Sequence, residues 1–359
     1  MSLTSSAIKT RALELGFDRC AVAPVGEFPE LRFLAEWIDR GYAGKMAYMA
    51  RTSDRRADLR RVLPSARSVI VTASVYNVDR PYSVEVSDRD TALVSRYAWG
   101  EDYHRVIGER LASLLAWMRE ASAEPFESRT YVDTGPVQER VYAQYAGVGW
   151  IGKNTCVINP ELGSWLFLGE VVCSLPLDPD PPALDQCGTC ALCLEACPTG
   201  AFVAPRVLDA TRCLSYLTIE LKDAIPESQR PDLGAHVFGC DICQEVCPWN
   251  ATPPRSRRPE WQPRPGLDRP RLVDLWRSTD DALQSLVQGT PLTRPGLTGL
   301  RRNVAVAIGN SGSRDAADDL VSEPPASVTA GALSRYDPLV REHARWAVEC
   351  LRGTGPRKG

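Results

Sequence analysis

The chain has 359 residues, 44% of them hydrophobic and 24% charged, and its formal net charge at pH 7 is -3. This length is enough for two or three domains with buried cores. No apolar run reaches the roughly 18 residues of a membrane span, so the composition indicates an ordinary globular protein. The slightly negative total does not exclude nucleic acid as a partner, because binding depends on where positive charge clusters.

The first 175 residues mix helical and strand-forming patterns. Apolar residues at helical spacing alternate with short β-branched runs that are bounded by turn residues. The pattern predicts helices at 7–15, 31–49 and 106–121, and strands at 68–76, 129–133 and 165–172. We therefore predict an α+β protein that begins with an α/β domain over residues 1–175.

Eight of the twelve cysteines lie between positions 187 and 247. One run is Cys187-x2-Cys190-x2-Cys193-x3-Cys197-Pro198, and the other is Cys240-x2-Cys243-x3-Cys247-Pro248. Ferredoxins with two four-iron clusters use such runs, and the fourth cysteine of a run ligates the other cluster. The second run lacks its leading cysteine, and Cys213 is the obvious substitute. The predicted ligand sets are Cys187, Cys190, Cys193 and Cys247 for one cluster, and Cys197, Cys213, Cys240 and Cys243 for the other.

Two other interpretations of these cysteines are weaker. A zinc ribbon needs two pairs of ligands with a longer spacer, and it does not explain the proline after each run. A disulfide framework is typical of small secreted chains, whereas this chain is long and its first residues do not resemble an export signal. The cysteines therefore predict a ferredoxin-like domain over 176–252 that transfers single electrons in a reducing compartment, and we expect a cytoplasmic protein.

The remaining sequence divides into a linker and a helical end. Residues 253–280 form the predicted linker, whose first part is rich in proline and arginine, and it is either a solvated tether or a segment that contacts phosphates. Residues 301–308 align with residues 341–348 at an offset of forty, the period of HEAT-type repeats. We predict HEAT-like α-helical repeats over 281–359, with exposed arginine-bearing helix faces.

Four segments outside the cysteine runs carry a family resemblance. They are Tyr97-Ala-Trp-Gly-Glu-Asp-Tyr-His104, Val132-Asp-Thr-Gly-Pro-Val137, Ala146-Gly-Val-Gly-Trp-Ile-Gly-Lys-Asn154 and Gly163-Ser-Trp-Leu-Phe-Leu-Gly-Glu170. With the order of the domains, they resemble the epoxyqueuosine reductases over nearly the whole chain. The resemblance implies an oxidoreductase that reduces epoxyqueuosine to queuosine at the wobble position of tRNA with a GUN anticodon, the last step of queuosine synthesis.

The same resemblance implies cofactors and partners. The cofactors are two [4Fe-4S] clusters and cobalamin bound without a histidine ligand (base-off). The partners are tRNA and a low-potential electron donor such as flavodoxin or ferredoxin. We expect no membrane association and a monomer, since the sequence has no heptad pattern and no exposed apolar stripe.

The resemblance also implies roles for single residues. Asp133 matches the family's proton donor, and donation at neutral pH requires its pKa to rise by roughly 3 units from about 3.9, which packing against an apolar corrin face would favour. The alternative role of Asp133 is to cap the turn through Thr134 and Gly135. Lys222 is the candidate contact to tRNA phosphate. The positions expected at cobalamin are Arg56, Ser95, Asp133, Val157, Leu168, Ser215, Cys240 and Asp241.

Two other functions remain open from the sequence. One is a reductive dehalogenase-like cobalamin enzyme that acts on a small molecule, and the other is a ferredoxin-type electron carrier. The four remaining cysteines are expected to be isolated, small buried hydrophobic residues, and the three histidines are too scattered for a second metal site. These cysteines are Cys20, Cys156, Cys173 and Cys350.

Overall fold

A computed structural model describes residues 3–313, 316–321 and 334–353. Within those ranges no helix is long and apolar enough to cross a membrane. The strands are β1 (Arg19–Pro24), β2 (Ser68–Val75), β3 (Leu93–Val94), β4 (Ser128–Tyr131), β5 (Trp150–Ile151), β6 (Val157–Ile158), β7 (Leu166–Cys173), β8 (Phe202–Ala204), β9 (Val207–Leu208) and β10 (His236–Phe238). The helices are α1 (Ser5–Glu14), α2 (Pro29–Asp39), α3 (Ala47–Arg51), α4 (Ser53–Ala57), α5 (Tyr103–Ala121), α6 (Glu139–Tyr145), α7 (Leu192–Glu195), α8 (Ile242–Glu245), α9 (Leu272–Arg277), α10 (Asp280–Val287), α11 (Gly296–Ser311), α12 (Ala317–Val321) and α13 (Pro338–Arg352).

A four-stranded antiparallel sheet in the order β1-β2-β7-β4 forms the centre of the amino-terminal domain. Side chains alternate between the two faces of a strand. Phe167 and Val171 of β7 therefore pack in one core with α5, whereas Leu168 and Val172 pack in a second core with α6. The mixed helix and strand architecture and most predicted elements of this region are confirmed.

Two predicted elements differ from the structure. The helix expected over 31–49 ends at Asp39, because Gly41 and Gly44 have φ of 78° and 53° and form a turn. A Cβ on Gly44 would lie 2.5 Å from the hydroxyl of Tyr216, so this turn packs tightly against the cysteine region. The strand expected to end at Asp133 ends two residues earlier, at Tyr131.

The prediction of a solvated tether over 253–271 is wrong. Trp261 is 3% exposed and packs against the ring of Phe167 and the guanidinium of Arg110. The adjacent Glu260 forms a salt bridge with Arg110. Proline keeps this segment extended, and its buried tryptophan holds it against the amino-terminal domain. Three of its arginines are also bound within the molecule: Arg255 pairs with Asp79, Arg258 pairs with Asp18, and Arg264 donates to the carbonyls of Gln288 and Gly289.

The two segments aligned at an offset of forty lie in α11 and α13, which pack against each other. Gly309 permits this contact, since a Cβ there would lie 2.8 Å from the Cα of Ala347. The expectation of exposed arginines is wrong for Arg301 and Arg302, which are 1% and 0% exposed. A HEAT-type repeat remains a prediction, and part of the helical region 281–359 lies outside the described residues.

Candidate active site

Cys187, Cys190, Cys193 and Cys247 line one cavity of about 220 Å³. Burial and, to a smaller extent, the charges of the other three thiols raise the pKa of Cys193 to about 11. The indole Nε1 of Trp150 donates a hydrogen bond to Cys187 Sγ at 3.4 Å. The structure thus brings together the four cysteines that the crossing rule assigned to one cluster.

Cys197, Cys213, Cys240 and Cys243 form the second group. Burial raises the pKa of Cys240, and the charges of Cys213 and Cys197 add to this effect. Burial likewise raises the pKa of Cys213, and the charge of Cys197 also raises it. The expectation that Cys156 is isolated is wrong, because its thiol is hydrogen-bonded to that of Cys243 and this contact lowers its pKa. The second predicted ligand set is therefore also gathered in one place.

We expect Cys213→Ser to remove one cluster and spare the other. A serine hydroxyl is a poor substitute for a thiolate ligand of iron, and the thiols that interact with Cys213 are Cys197, Cys240 and Cys243 of the second group. Iron and sulfide analysis of anaerobically purified protein should show about half of the wild-type content. Cys350→Ser, outside both groups, is the matched control. Loss of all iron from Cys213→Ser would contradict two separate ligand sets.

Asp133 lies in the turn after β4 and has φ of 55°, a conformation that aspartate and asparagine tolerate better than most residues. Its Oδ2 accepts a hydrogen bond from Tyr103 Oη at 3.0 Å and lies 3.3 Å from His104 Nε2. The side chain is 52% exposed. Burial of the region raises the pKa of Asp133, but the hydrogen bond and charge of His104 and the bond from Tyr103 outweigh it, so the pKa is lowered. This direction is opposite to the rise expected from packing against a corrin, and that rise stays a prediction.

His104 connects two carboxylates. Its Nδ1 lies 2.7 Å from Asp102 Oδ1, and its Nε2 faces Asp133. Burial lowers the pKa of His104, but the hydrogen bonds and charges of Asp102 and Asp133 outweigh this and raise the pKa to about 9. The imidazole is consequently protonated at neutral pH and shares a proton with Asp133.

Three further ionisable residues lie near Asp133 and were not predicted. Burial and the charge of Asp133 raise the pKa of Glu139 to about 7. Arg140 is exposed; burial of its surroundings lowers its pKa, but the negative charges near it, those of Cys156, Glu139, Asp133 and Cys243, outweigh this effect and raise the pKa. Glu170, at the centre of β7, is 0% exposed. A glutamate within an otherwise apolar strand was the available signal for this last residue.

Asp133, Tyr103 and Tyr97 lie side by side: Tyr103 donates a hydrogen bond to Asp133, and its ring centroid lies 6.1 Å from that of Tyr97. Asp133 and Arg140 are exposed, and Tyr97 and Tyr103 are partly exposed, yet burial is the largest influence on the pKa of each. The pKa of Tyr97 is also raised by Asp133 and by Asp241, which follows Cys240. The ring of Tyr97 in turn lies 5.8 Å from that of Phe238, two residues before Cys240, so the solvent-accessible surface of these residues, the candidate reaction space, lies next to the second group of cysteines.

The residues predicted at cobalamin occupy different environments. Arg56 is buried, contrary to the surface position that its sequence context alone suggests, and its Nη1 donates to the carbonyl of Val137 at 2.9 Å. Val157 and Leu168 belong to the second core and are 4% and 7% exposed. Ser215 is half-buried and its backbone and hydroxyl form hydrogen bonds to the Cys213 thiol.

Ser95 and Asp241 are bound to each other. The hydroxyl of Ser95 donates to Asp241 Oδ1, and the amide of Arg96 donates to Oδ2 at 2.7 Å. This contact joins the amino-terminal domain to the loop of Cys240. The two residues therefore position the second cysteine group.

Lys222, the predicted tRNA contact, is exposed but its ammonium group is partly engaged. Its Nζ donates to the carbonyls of Ile219 at 3.1 Å and Arg294 at 2.6 Å. Burial lowers its pKa. A contact to phosphate by Lys222 remains a prediction.

Comparison with known proteins supports the features of this site. Residues 186–250 match the model of a 4Fe-4S double cluster binding domain, and residues 56–134 match the family Epoxyqueuosine reductase QueG, DUF1730. The epoxyqueuosine reductase of Pseudomonas aeruginosa is 40% identical over 96% of this chain and 93% of its own. That of Gloeobacter violaceus is 42% identical over 87% of this chain and 98% of its own.

Two solved structures are similar over most of the chain. One is an epoxyqueuosine reductase with an epoxyqueuosine-modified tRNA-Tyr stem loop, with a TM-score of 0.84, 28% identity and coverage of 96% of this chain and 89% of that one. The other is the Bacillus subtilis epoxyqueuosine reductase with its catalytic aspartate loop swung out of the active site, with a TM-score of 0.81, 27% identity and coverage of 96% and 90%.

The antiparallel sheet domain, joined to a module for two four-iron clusters, defines an iron–sulphur oxidoreductase. Identity of 40% over nearly the full length of both chains is specific to one group of these enzymes. The chain belongs to the epoxyqueuosine reductase family.

Proposed function

We propose that this protein reduces epoxyqueuosine to queuosine at the wobble position of tRNA, the last step of queuosine synthesis. The observation that carries the proposal is that the Asp133 turn lies close to the second cysteine group, to which it is connected through the side chains of Tyr103, Tyr97 and Phe238. A proton donor and an electron source thus lie next to each other. The related enzyme solved with a modified tRNA stem loop supports a tRNA substrate with a GUN anticodon.

The residues around the space fit cobalamin as the cofactor. Cobalamin supplies a strongly reducing cobalt centre that can open an epoxide. Val157 and Leu168 supply apolar packing from the second core, and the contacts would come from the predicted positions Arg56, Ser95, Asp133, Val157, Leu168, Ser215, Cys240 and Asp241. Both ring nitrogens of His104 are already engaged by carboxylates, which agrees with base-off binding without a histidine ligand.

Removal of the epoxide oxygen as water consumes two electrons and two protons. Asp133 has a low pKa here, so it does not carry the proton by itself. His104 carries it, and the hydrogen bond between them lets Asp133 pass the proton to the oxygen that leaves the ring. Asp102 holds the imidazole in the orientation that this transfer requires.

The charge of His104 can be tested without cofactor or substrate. We expect the ring of His104 to titrate with a pKa of about 9, while burial lowers the pKa of His236 and brings that of His343 to about 4. Histidine-selective NMR titration follows these signals. Asp102→Asn should lower the pKa of His104 because it removes one negative partner.

The matched control for that titration is Asp88→Asn, which changes an exposed carboxylate that accepts hydrogen bonds in its own loop. It should leave all three histidine titrations unchanged. If every ring titrates below neutral pH in the wild type, His104 does not hold the proton.

We further propose that the two predicted cysteine sets bind the two [4Fe-4S] clusters and that electrons pass from the first to the second. An electron donor such as flavodoxin or ferredoxin would reduce the first cluster. The second cluster would lie next to the reaction space, since Arg140 donates to the carbonyl of Thr155 and the adjacent Cys156 is hydrogen-bonded to Cys243. The proposal also includes the predicted localisation, oligomeric state and domains: a cytoplasmic monomer with domains at 1–175, 176–252, 253–280 and 281–359.

Turnover by the anaerobic holoprotein tests the proposed function. Protein with both clusters and bound cobalamin, given a strong reductant, should convert an epoxyqueuosine-containing anticodon stem loop to the queuosine form. The names of the relatives favour this activity over the two alternatives. Cobalamin binding without conversion of RNA would support a small-molecule reductase, and absence of cobalamin binding would support an electron carrier.

A further inference from the structure

The hairpin formed by β5 and β6 lies beside the first cysteine group. Its strands pair Trp150 with Ile158. A Cβ on Gly149 would lie 2.4 Å from the carbonyl oxygen of Ile158, so a glycine is needed where the chain enters the hairpin. The turn between the strands carries Lys153 and Asn154, which line the same cavity as the four cysteines of the first group. The hairpin therefore supplies part of the wall around the first predicted cluster.

Adjacent side chains of this turn bind the two cysteine runs. Lys153 Nζ donates to the carbonyl of Gly188 at 2.8 Å and to the carbonyl of Cys190 at 2.8 Å. Asn154 Nδ2 donates to the carbonyl of Cys243 at 3.0 Å. The lysine therefore holds the loop of the first run against the hairpin, and the asparagine holds the second run.

Trp150 makes direct contact with a predicted ligand atom. Its indole Nε1 donates to Cys187 Sγ at 3.4 Å. The side chain is 1% exposed and its ring meets that of Trp249 edge-on, with 5.0 Å between the centroids, so its orientation is fixed by packing. Hydrogen bonds to the sulphur atoms are among the factors that set the reduction potential of an iron–sulphur cluster. The hairpin is thus built to act on the first cluster through its ligands.

Lys153 also places a positive charge at the first cysteine group. The side chain is half-buried, and its hydrogen bonds to neutral carbonyls do not cancel the charge of the ammonium. The carboxylate on the same loop, Asp185, accepts from the amide of Cys187 and forms a salt bridge with Arg206 at 2.6 Å. Arg206 Nε also donates to the carbonyl of Ile151, which ties this ion pair to the hairpin. Arg206 therefore balances the charge of Asp185, and the charge of Lys153 remains.

Resting on the proposed ligand set of the first cluster, we propose that Lys153, together with Trp150, raises the reduction potential of that cluster so that it accepts electrons readily from the donor. A one-electron donor such as flavodoxin or ferredoxin is oxidised in this step, and the cluster gains one negative charge. The ammonium of Lys153 and the indole N–H of Trp150 stabilise the added charge, and no proton is transferred. Both residues act through the cluster and its ligands, so they are positioning residues.

Anaerobic redox titration of the full-length protein, followed by electron paramagnetic resonance, measures this potential without RNA. Lys153→Gln keeps amide donors for the two carbonyls and removes the charge. At a fixed solution potential, the ratio of reduced to oxidised first cluster should fall about tenfold, the lower range for loss of a group that supports a metal ligand. For a one-electron couple this ratio equals a decrease in potential of about 59 mV. Lys153→Arg keeps the charge and should stay close to the wild type.

Trp150→Phe tests the second contribution, because it keeps an aromatic ring and removes the N–H that bonds to Cys187. It should lower the potential in the same direction. Trp249→Phe is the matched control, since it makes the same change of ring in the same cavity and leaves that bond in place. The shifts should recur in a Cys213→Ser background, which is expected to keep only the first cluster, and this assigns them to the correct cluster.

An unchanged potential of the first cluster in Lys153→Gln would overturn the proposal. If that variant does not keep its iron, Trp150→Phe decides: a lower potential supports the proposal, and a wild-type potential means that the hairpin only holds the cysteine loops. Wild-type protein without four-iron signals would overturn this proposal and the ligand sets together. Failure of the fully loaded wild type to convert the stem loop would instead overturn the proposed function, and the measured potentials would still decide the role of Lys153.

Discussion

Asp133→Asn should retain both clusters and bound cobalamin and lose conversion of epoxyqueuosine by about 10²- to 10⁴-fold, the usual contribution of a positioned acid. Asparagine has the same shape and accepts the φ of 55° at this position. Its amide oxygen can still accept the hydrogen bonds of Tyr103 and His104. The substitution therefore removes the capacity to pass a proton while it preserves the turn.

Single-turnover conversion of a modified anticodon stem loop measures this loss, and iron and cobalamin content are measured on the same samples. Asp88→Asn is the matched control, because that exposed carboxylate accepts hydrogen bonds only within its loop. Wild-type rates in Asp133→Asn would show that another group protonates the leaving oxygen. Loss of cobalamin from the variant would instead indicate a binding role for Asp133.

The sequence was sufficient for features that depend on short spacing. The two cysteine runs, with Cys213 between them, define groups that the structure gathers as two sets. The strand around residues 68–75 and the helix Tyr103–Ala121 were also predictable, since each has a strong local period. In each case the residues that decide the structure are neighbours in the chain.

The surroundings of Asp133 were not predictable in this way. Its partners Tyr103 and His104 lie about thirty residues earlier and meet it only because α5 and the turn after β4 pack together. The expected rise in the pKa of Asp133 relied on an apolar environment and ignored these donors. The buried position of Glu170 follows from strand order, which brings β2 and β4 to both sides of β7.

The exposed arginines were wrongly predicted for a related reason. The repeat pattern placed Arg301 and Arg302 on a helix, but it could not show that α11 lies against the loops of the cysteine region. The π-helical turn Tyr216–Glu220 leaves carbonyl groups without helical partners. Arg302 donates hydrogen bonds to two carbonyls at this turn, those of Leu217 and Leu221. A guanidinium with five donors suits such a cluster of carbonyls.

Arg302 is accordingly the second site of large expected effect. It is 0% exposed and donates to the carbonyls of Leu221 at 2.8 Å, Asp223 at 2.6 Å and Leu217 at 2.7 Å. Burial lowers its pKa to about 10, which leaves it charged. Its neighbour Asn303 donates to the carbonyl of Val237, so the pair holds the segment that follows Cys213 and the segment that precedes Cys240.

Arg302→Met should lower the free energy of unfolding by at least about 3 kcal/mol, because three carbonyls lose their donor and each costs about 1–3 kcal/mol when it is buried without one. Urea unfolding of the anaerobic protein, followed by circular dichroism, measures this loss, and absorbance should show the second cluster released first. Arg302→Lys keeps a charge and part of the hydrogen bonding, so it should lose less. Arg345→Met, at an exposed position of α13, should unfold like the wild type. If Arg302→Met does so too, the helical end of the chain does not hold the cysteine loops, and their order comes from the clusters alone.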